Sequence, residues 1–210
     1  GIADTGRTTQ SAFFDHDADG DLDLFVMNCP LQDEKTLNSL EVEALIRSGQ
    51  APSSQFYRND GGRFTNVTKK AGIMNMAYGL GIAISDLNGD DRPDVYIAND
   101  YIMPDFMYMN NGDGTFTEKV KDATRHISNF GMGCDAADFN NDGLPDIMTV
   151  DMVSEDHVRS KKNMAGMSSD KFWGVVKVGY HYQYMFNTLQ MNNGNGTFSE
   201  VAQQAGVSKT

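Results

Sequence analysis

Apolar residues along this chain fall in short runs, rich in β-branched and aromatic side chains, broken by clusters of Asp, Asn and Gly. Ser11 to Phe14, Gly81 to Ser85 and Gly133 to Ala137 each run into an acidic cluster; Leu22 to Met27, Val95 to Ala98 and Ile147 to Val150 lead out of it. That pattern predicts strand, loop, strand, three times over. A second element recurs after each: Phe56 to Thr65, Met109 to Thr117 and Met191 to Ser199. In each copy Asn and Gly supply the positive φ of a tight hairpin, so two more strands are predicted, with Phe64, Phe116 and Phe198 on the returning strand as core residues. Four antiparallel strands per unit make a propeller blade. The predicted fold class is all-β.

The blades are placed at about 6–70, 78–122 and 130–204 of one domain. The compact repeat is 52 residues, the separation of Asp86 from Asp138 and of Phe64 from Phe116. Longer spacings elsewhere require insertions, at about 30–54 and 153–179. In the first, Leu37, Leu40, Leu45 and Ile46 predict a short amphipathic helix over Glu34 to Arg47. The second holds Arg159-Ser160-Lys161-Lys162 with Met164, Met167, Phe172 and Trp173, and has little strand character. Insertions on a rigid repeat scaffold commonly carry binding function. Lys70-Ala71-Gly72-Ile73 and Gln204-Ala205-Gly206-Val207 mark unit ends. Since three blades do not close a ring, further blades of the same propeller are expected as partners.

The acidic clusters are Asp15 to Asp23, Asp86 to Asp94 and Asp138 to Asp146, and they share one register. Loop positions 1, 3, 5 and 9 are Asp15, Asp17, Asp19 and Asp23; then Asp86, Asn88, Asp90 and Asp94; then Asp138, Asn140, Asp142 and Asp146. Short oxygen-bearing side chains on alternate residues of a tight loop converge on a point, which suits a hard cation. Position 7 (Asp21, Arg92, Leu144) varies freely, as expected if it offers only its backbone carbonyl. An EF-hand would need Glu at position 12, where Val26, Ile97 and Thr149 stand on strands. The expectation is three calcium ions, one per loop, clamping the strand pairs; ordinary solvated turns are the competing account.

The chain has 210 residues and 40% hydrophobic content, enough for a packed core. Its net charge of −12 argues against nucleic acid. No apolar run is long enough to span a membrane as a helix. Cys29 and Cys134 are expected as unpaired, largely buried thiols, with a bridge between them as the lesser alternative.

These repeats resemble the FG-GAP and VCBS repeats of seven-bladed, integrin-α-like propellers. They look closest to bacterial surface proteins, common in Bacteroidetes, whose propeller precedes an ASPIC/UnbV domain. Tyr78-Gly79-Leu80-Gly81 and Phe130-Gly131-Met132-Gly133 match the Phe-Gly element; Arg7-Thr8-Thr9-Gln10 does not, and Asp91 stands where the loop usually has Gly. The resemblance implies calcium in the loops, an extracellular or cell-envelope location and a role in adhesion or recognition. Weak calcium sites point outside the cell on their own account.

Three functions follow. The first is a non-catalytic recognition module with a protein or glycan ligand. Tyr180, Tyr182 and Tyr184 would share one strand face as a sugar platform; the preferred account has the strand bury them between blades. The second is a propeller hydrolase or lyase, for which Asn28, Asn99, Asp100 and Asp151 at strand ends are the available polar groups. Against it, His16, His126, His157 and His181 share no metal-ligand spacing, no nucleophile motif occurs, and His16 is expected to point away from the ion. The third is a structural spacer.

Overall fold

The computed structural model describes residues 2, 4, 6–30, 54–101, 103–163 and 169–209. The helix expected over Glu34 to Arg47 lies outside them, as does nearly all of the first insertion.

The first sheet is β1 (Arg7–Phe14), β2 (Asp23–Cys29), β3 (Gln55–Asp60) and β4 (Arg63–Asn66), hydrogen-bonded in that order. A single turn of helix, α1 (Thr68–Ala71), follows it. The second sheet is β5 (Tyr78–Ser85), β6 (Asp94–Asp100), β7 (Phe106–Asn110) and β8 (Phe116–Glu118), closed by α2 (Val120–Ala123). β9 (Ile127–Ser128) leads to the third sheet: β10 (Gly133–Ala137), β11 (Asp146–Val150), β13 (Thr188–Asn192) and β14 (Phe198–Glu200), closed by α5 (Ala202–Ala205). Between β11 and β13 stand α3 (His157–Asn163), α4 (Ser169–Lys177) and β12 (Gln183–Tyr184), the last paired in parallel with β9. Every neighbouring pair within the four-stranded sheets is antiparallel. The protein is all-β, built of propeller-like blades.

The second strands of the first two sheets, β2 and β6, read as near-continuous apolar runs because both of their faces are covered, whereas β11 leaves Met148 half-buried and Val150 exposed. On β6, Val95 and Ile97 enter the core shared with the first sheet, beside Phe25, Phe56 and Phe116. Tyr96 and Ala98 enter the one shared with the third, beside Ile147 and Phe198. The alternation thus divides a central blade between two cores. Phe116 and Phe198 are buried as expected, and Phe64 is partly buried.

The first strands lie side by side, β5 between β1 and β10. Gly81 sets that approach: a Cβ there would fall 2.5 Å from the Cys134 backbone nitrogen and 2.7 Å from the Gly133 Cα. Only a residue without a side chain lets two strand backbones pass so closely. Cys29 and Cys134 form no disulfide; both are half-buried rather than fully enclosed. The helical turns α1, α2 and α5 have no periodic signal in the sequence, being shorter than one amphipathic repeat.

Candidate metal centres in the blade loops

Each acidic loop turns on two residues of positive φ, at positions 4 and 6: Ala18 (58°) and Gly20 (91°), Gly89 (76°) and Asp91 (62°), Asn141 (60°) and Gly143 (88°). These kinks fold the loop around its first side chain. Asp15 accepts the N–H groups of Asp19 (3.2 Å) and Gly20 (2.9 Å), and Asp138 those of Asp142 (3.1 Å) and Gly143 (2.9 Å). Asp86 accepts from Gly89, Asp90 and Asp91. Position 5 accepts the N–H of position 7 in all three loops, at 2.9, 3.0 and 2.9 Å. The sequence spacing therefore yields one loop conformation, made three times.

In the first loop, carboxylate oxygens of Asp15, Asp17 and Asp19 lie within 4.8 Å of one another. Desolvation and then, after an opposing pull from His16, the charges of Asp19, Asp23 and Asp15 push the Asp17 carboxyl above its ordinary range. An all-oxygen, anionic donor set of this kind fits a hard divalent cation. In the other loops the side-chain amides of Asn88 and Asn140 donate to Asp90 (2.9 Å) and Asp142 (2.7 Å), so the amide nitrogen rests where a cation would compete.

The second loop differs again. The guanidinium of Arg92, at position 7, pairs with Asp90 and reaches the Asn110 carbonyl at 3.3 Å. A fixed positive charge on one of the candidate ligands opposes a divalent ion. Arg92→Leu, which copies Leu144 of the third loop, is expected to raise calcium affinity at that loop by about 3- to 10-fold. Calcium titration of the variant against the parent reads this directly.

Position 9 has a second task. Asp23, Asp94 and Asp146 are fully buried, and each carboxylate holds two backbone N–H groups. One comes from loop position 2: His16 (2.9 Å), Leu87 (2.9 Å) and Phe139 (3.1 Å). The other comes from the third strand: Asn59 (2.8 Å), Asn110 (2.7 Å) and Asn192 (2.8 Å). Burial pushes Asp94 up to about 6 despite both hydrogen bonds.

Two of those asparagines, read from the sequence only as turn formers, tie one blade to the next. Asn110 Nδ2 donates to the His16 carbonyl of the preceding loop (2.8 Å) and to Pro93 of its own (3.3 Å). Asn192 repeats this with Leu87 (2.9 Å) and Pro145 (3.1 Å). Their one sequence signal is the identical place they hold in each hairpin.

The imidazole of His16 does not point away from the loop. Its Nδ1 contacts Asp23 and lies 3.8 Å from Asp17, while its ring packs edge-on to Phe56 at 5.0 Å. Position 2 is an inter-blade packing position, as buried Leu87 shows, so the ring is drawn inward.

The strand-end polar residues are engaged in structural bonds. Thr8 Oγ1 donates to Asn28 (2.9 Å), Asn99 Nδ2 donates to the Pro104 carbonyl (2.7 Å), and Asp151 accepts from Ser128 Oγ (2.6 Å). Beside them the fully buried Asp105, bonded by Asn99 N–H (2.8 Å) and Tyr96 O–H (2.5 Å), is pushed up to about 7 by burial. Its native pKa exceeds the unfolded value, so its contribution is present at low pH and lost as pH rises through about 7. Asp105→Asn should remove on the order of 2–4 kcal/mol of the stability difference between acid and alkaline pH. Urea unfolding of both proteins at a series of pH values checks it.

The aromatic run is not buried between blades. Tyr180 is half-buried beside Met76 and Met103, but Tyr182 and Tyr184 are 42% and 38% exposed, while His181 and Gln183 between them point inward. β12 makes only a short parallel pair with β9, too little to cover its outer face.

Residues 86–149 match the FG-GAP-like repeat family, a span holding the second and third acidic loops. Cartilage acidic protein 1 of Xenopus tropicalis is 34% identical over 89 residues, and that of Homo sapiens 32% over 88. Each match covers 40% of this chain and 13% of the relative, so the matched segment spans a small part of those proteins. A solved structure of an Agrocybe aegerita lectin, concerned with specific recognition of non-reducing terminal N-acetylglucosamine, aligns with 90% of this chain and 36% of its own. Its TM-score is 0.43 at 17% identity.

Proposed function

We propose that this chain is part of a calcium-stabilised, non-catalytic recognition module that works outside the cell. The observation that carries this reading is one acidic loop, folded alike three times, with carboxylate oxygens at positions 1, 3 and 5 converging in the first. The FG-GAP-like match over 86–149 and the likeness to cartilage acidic protein 1 support the extracellular setting. Asp15, Asp17 and Asp19, with their counterparts in the other loops, would hold the ion, joined by the carbonyls of Asp21, Arg92 and Leu144. Calcium would supply the positive charge that lets three carboxylates in the first loop, and two in each of the others, converge on one point. The protein's own task is to keep them converged, through the N–H bonds to positions 1 and 5 and the buried bracket at position 9.

Such a clamp stabilises by mass action. With dissociation constants of about 0.1–1 mM, typical of extracellular modules, ~1 mM calcium contributes roughly 1–4 kcal/mol over three sites. Thermal unfolding should therefore drop by roughly 3–15 °C in excess chelator. An unchanged melting temperature would remove the structural role.

A further inference from the structure

The second insertion brings a set of rings to one surface. Phe172 of α4 lies 5.3 Å from Tyr184 and 6.2 Å from Tyr182, at interplanar angles of 32° and 27°. Trp173 packs edge-on to Phe172 at 5.1 Å, and Tyr184 continues to Phe186 at 5.9 Å and to His126 at 5.1 Å. Trp173 is 53% exposed. Among the described side chains of α4 none is buried, so this helix adds nothing to a blade core. Its aromatic residues are spent on the surface, where such rings mark contact sites.

His126 also walls a cleft of about 470 Å³ between α2 and the β13–β14 hairpin. The cleft is polar and of mixed sign, lined by Lys121 and Arg125, by Asp122 and Glu200, and by Asn193 and Ser199.

We propose that the rings and this cleft together bind a neutral oligosaccharide. A pyranose has an apolar C–H face, which lies on an aromatic ring, and a rim of hydroxyls, which amide, carboxylate and guanidinium groups bind in pairs. The balanced charge of the cleft gives no preference for an anion. Three exposed rings, two of them carrying hydroxyls, stand beside this polar cleft, which pairs stacking faces with hydrogen-bonding groups. The inference rests on the recognition reading above and gives it a ligand class.

Trp173 is the chain's only tryptophan, so its emission reports on this surface alone. The probes are cellohexaose, xylohexaose, mannohexaose and chitohexaose, each titrated to roughly 10 mM in calcium. At least one should shift or quench the emission along a saturable curve. Tyr182→Ala and Tyr184→Ala should each weaken that binding by about tenfold, with the melting temperature and its calcium dependence retained. Trp173→Ala, which removes no buried group, should do the same by calorimetry. No saturable response to any of the four sugars, or a response that survives all three substitutions, would overturn the proposal. Sugar failure with calcium stabilisation intact rejects the glycan site alone. Lost calcium stabilisation with sugar binding intact rejects the clamp instead.

Discussion

Asp94→Ala is expected to destabilise the fold by about 2–4 kcal/mol even in excess chelator, where no calcium contribution remains to be lost. The substitution orphans two buried N–H groups, those of Leu87 and Asn110, at roughly 1–3 kcal/mol each. Part of this is offset because a carboxylate whose burial raises its pKa to about 6 is itself costly to desolvate. Asp94→Asn should not rescue it, since one of the two acceptors becomes an N–H donor facing an N–H. By contrast, replacement of exposed Asp142 should lower stability only when calcium is present. Urea unfolding of the variants with and without calcium separates the two roles of the loop, bracket and ligand. Equal losses for Asp94 and Asp142 in chelator would mean that the bracket has no special weight.

The second large effect is expected at Gly81. Gly81→Ala puts a methyl group 2.5 Å from the backbone of the next blade, and no rotamer relieves a backbone clash. The blades would have to part by about an ångström, costing roughly 2–4 kcal/mol through overpacking and loosened core contacts. Gly133→Ala is the control: its nearest neighbour would be Val150 Cγ2 at 3.7 Å, an ordinary contact, so a loss below about 1 kcal/mol is expected. The two glycines stand in equivalent places of the Gly-x-Gly element, yet only the one facing the next blade is compressed. Similar unfolding midpoints for both variants would show that the inner strands are not held at contact.

Much of this architecture was legible because its elements repeat. Aspartates at one spacing, returning three times between apolar runs, identify the loop and the strands beside it without reference to any other protein. The bracket at position 9 was half legible. The sequence marks Asp23, Asp94 and Asp146 as part of the loop, but their burial depends on the third strand returning beside the second, a pairing distant in the chain. The inter-blade bonds of Asn110 and Asn192 were hidden for a similar reason: a turn residue and a brace have the same local sequence. His16 was misread because its neighbour across the blades, Phe116, lies 100 positions away. The exposed tyrosines were misjudged because strand alternation states which side chains share a face and leaves open what covers it. The one-turn helices α1, α2 and α5 are too short to carry any periodic signal.

Inter-blade bonding has a physical consequence for the calcium reading. Position 2 of one loop is held from both sides, its N–H by the position 9 carboxylate and its carbonyl by the asparagine of the next blade. Order imposed on one loop by a bound cation would thus be passed to the blade beside it, so even a weak ion would bear on the whole array.

The most direct measurement is calorimetric titration of the calcium-stripped chain with calcium. The account predicts saturable binding of close to three ions per chain, with the loop containing Arg92 filling last. Absence of calcium binding, or binding that persists when Asp15, Asp86 and Asp138 are all replaced by Ala, would contradict it.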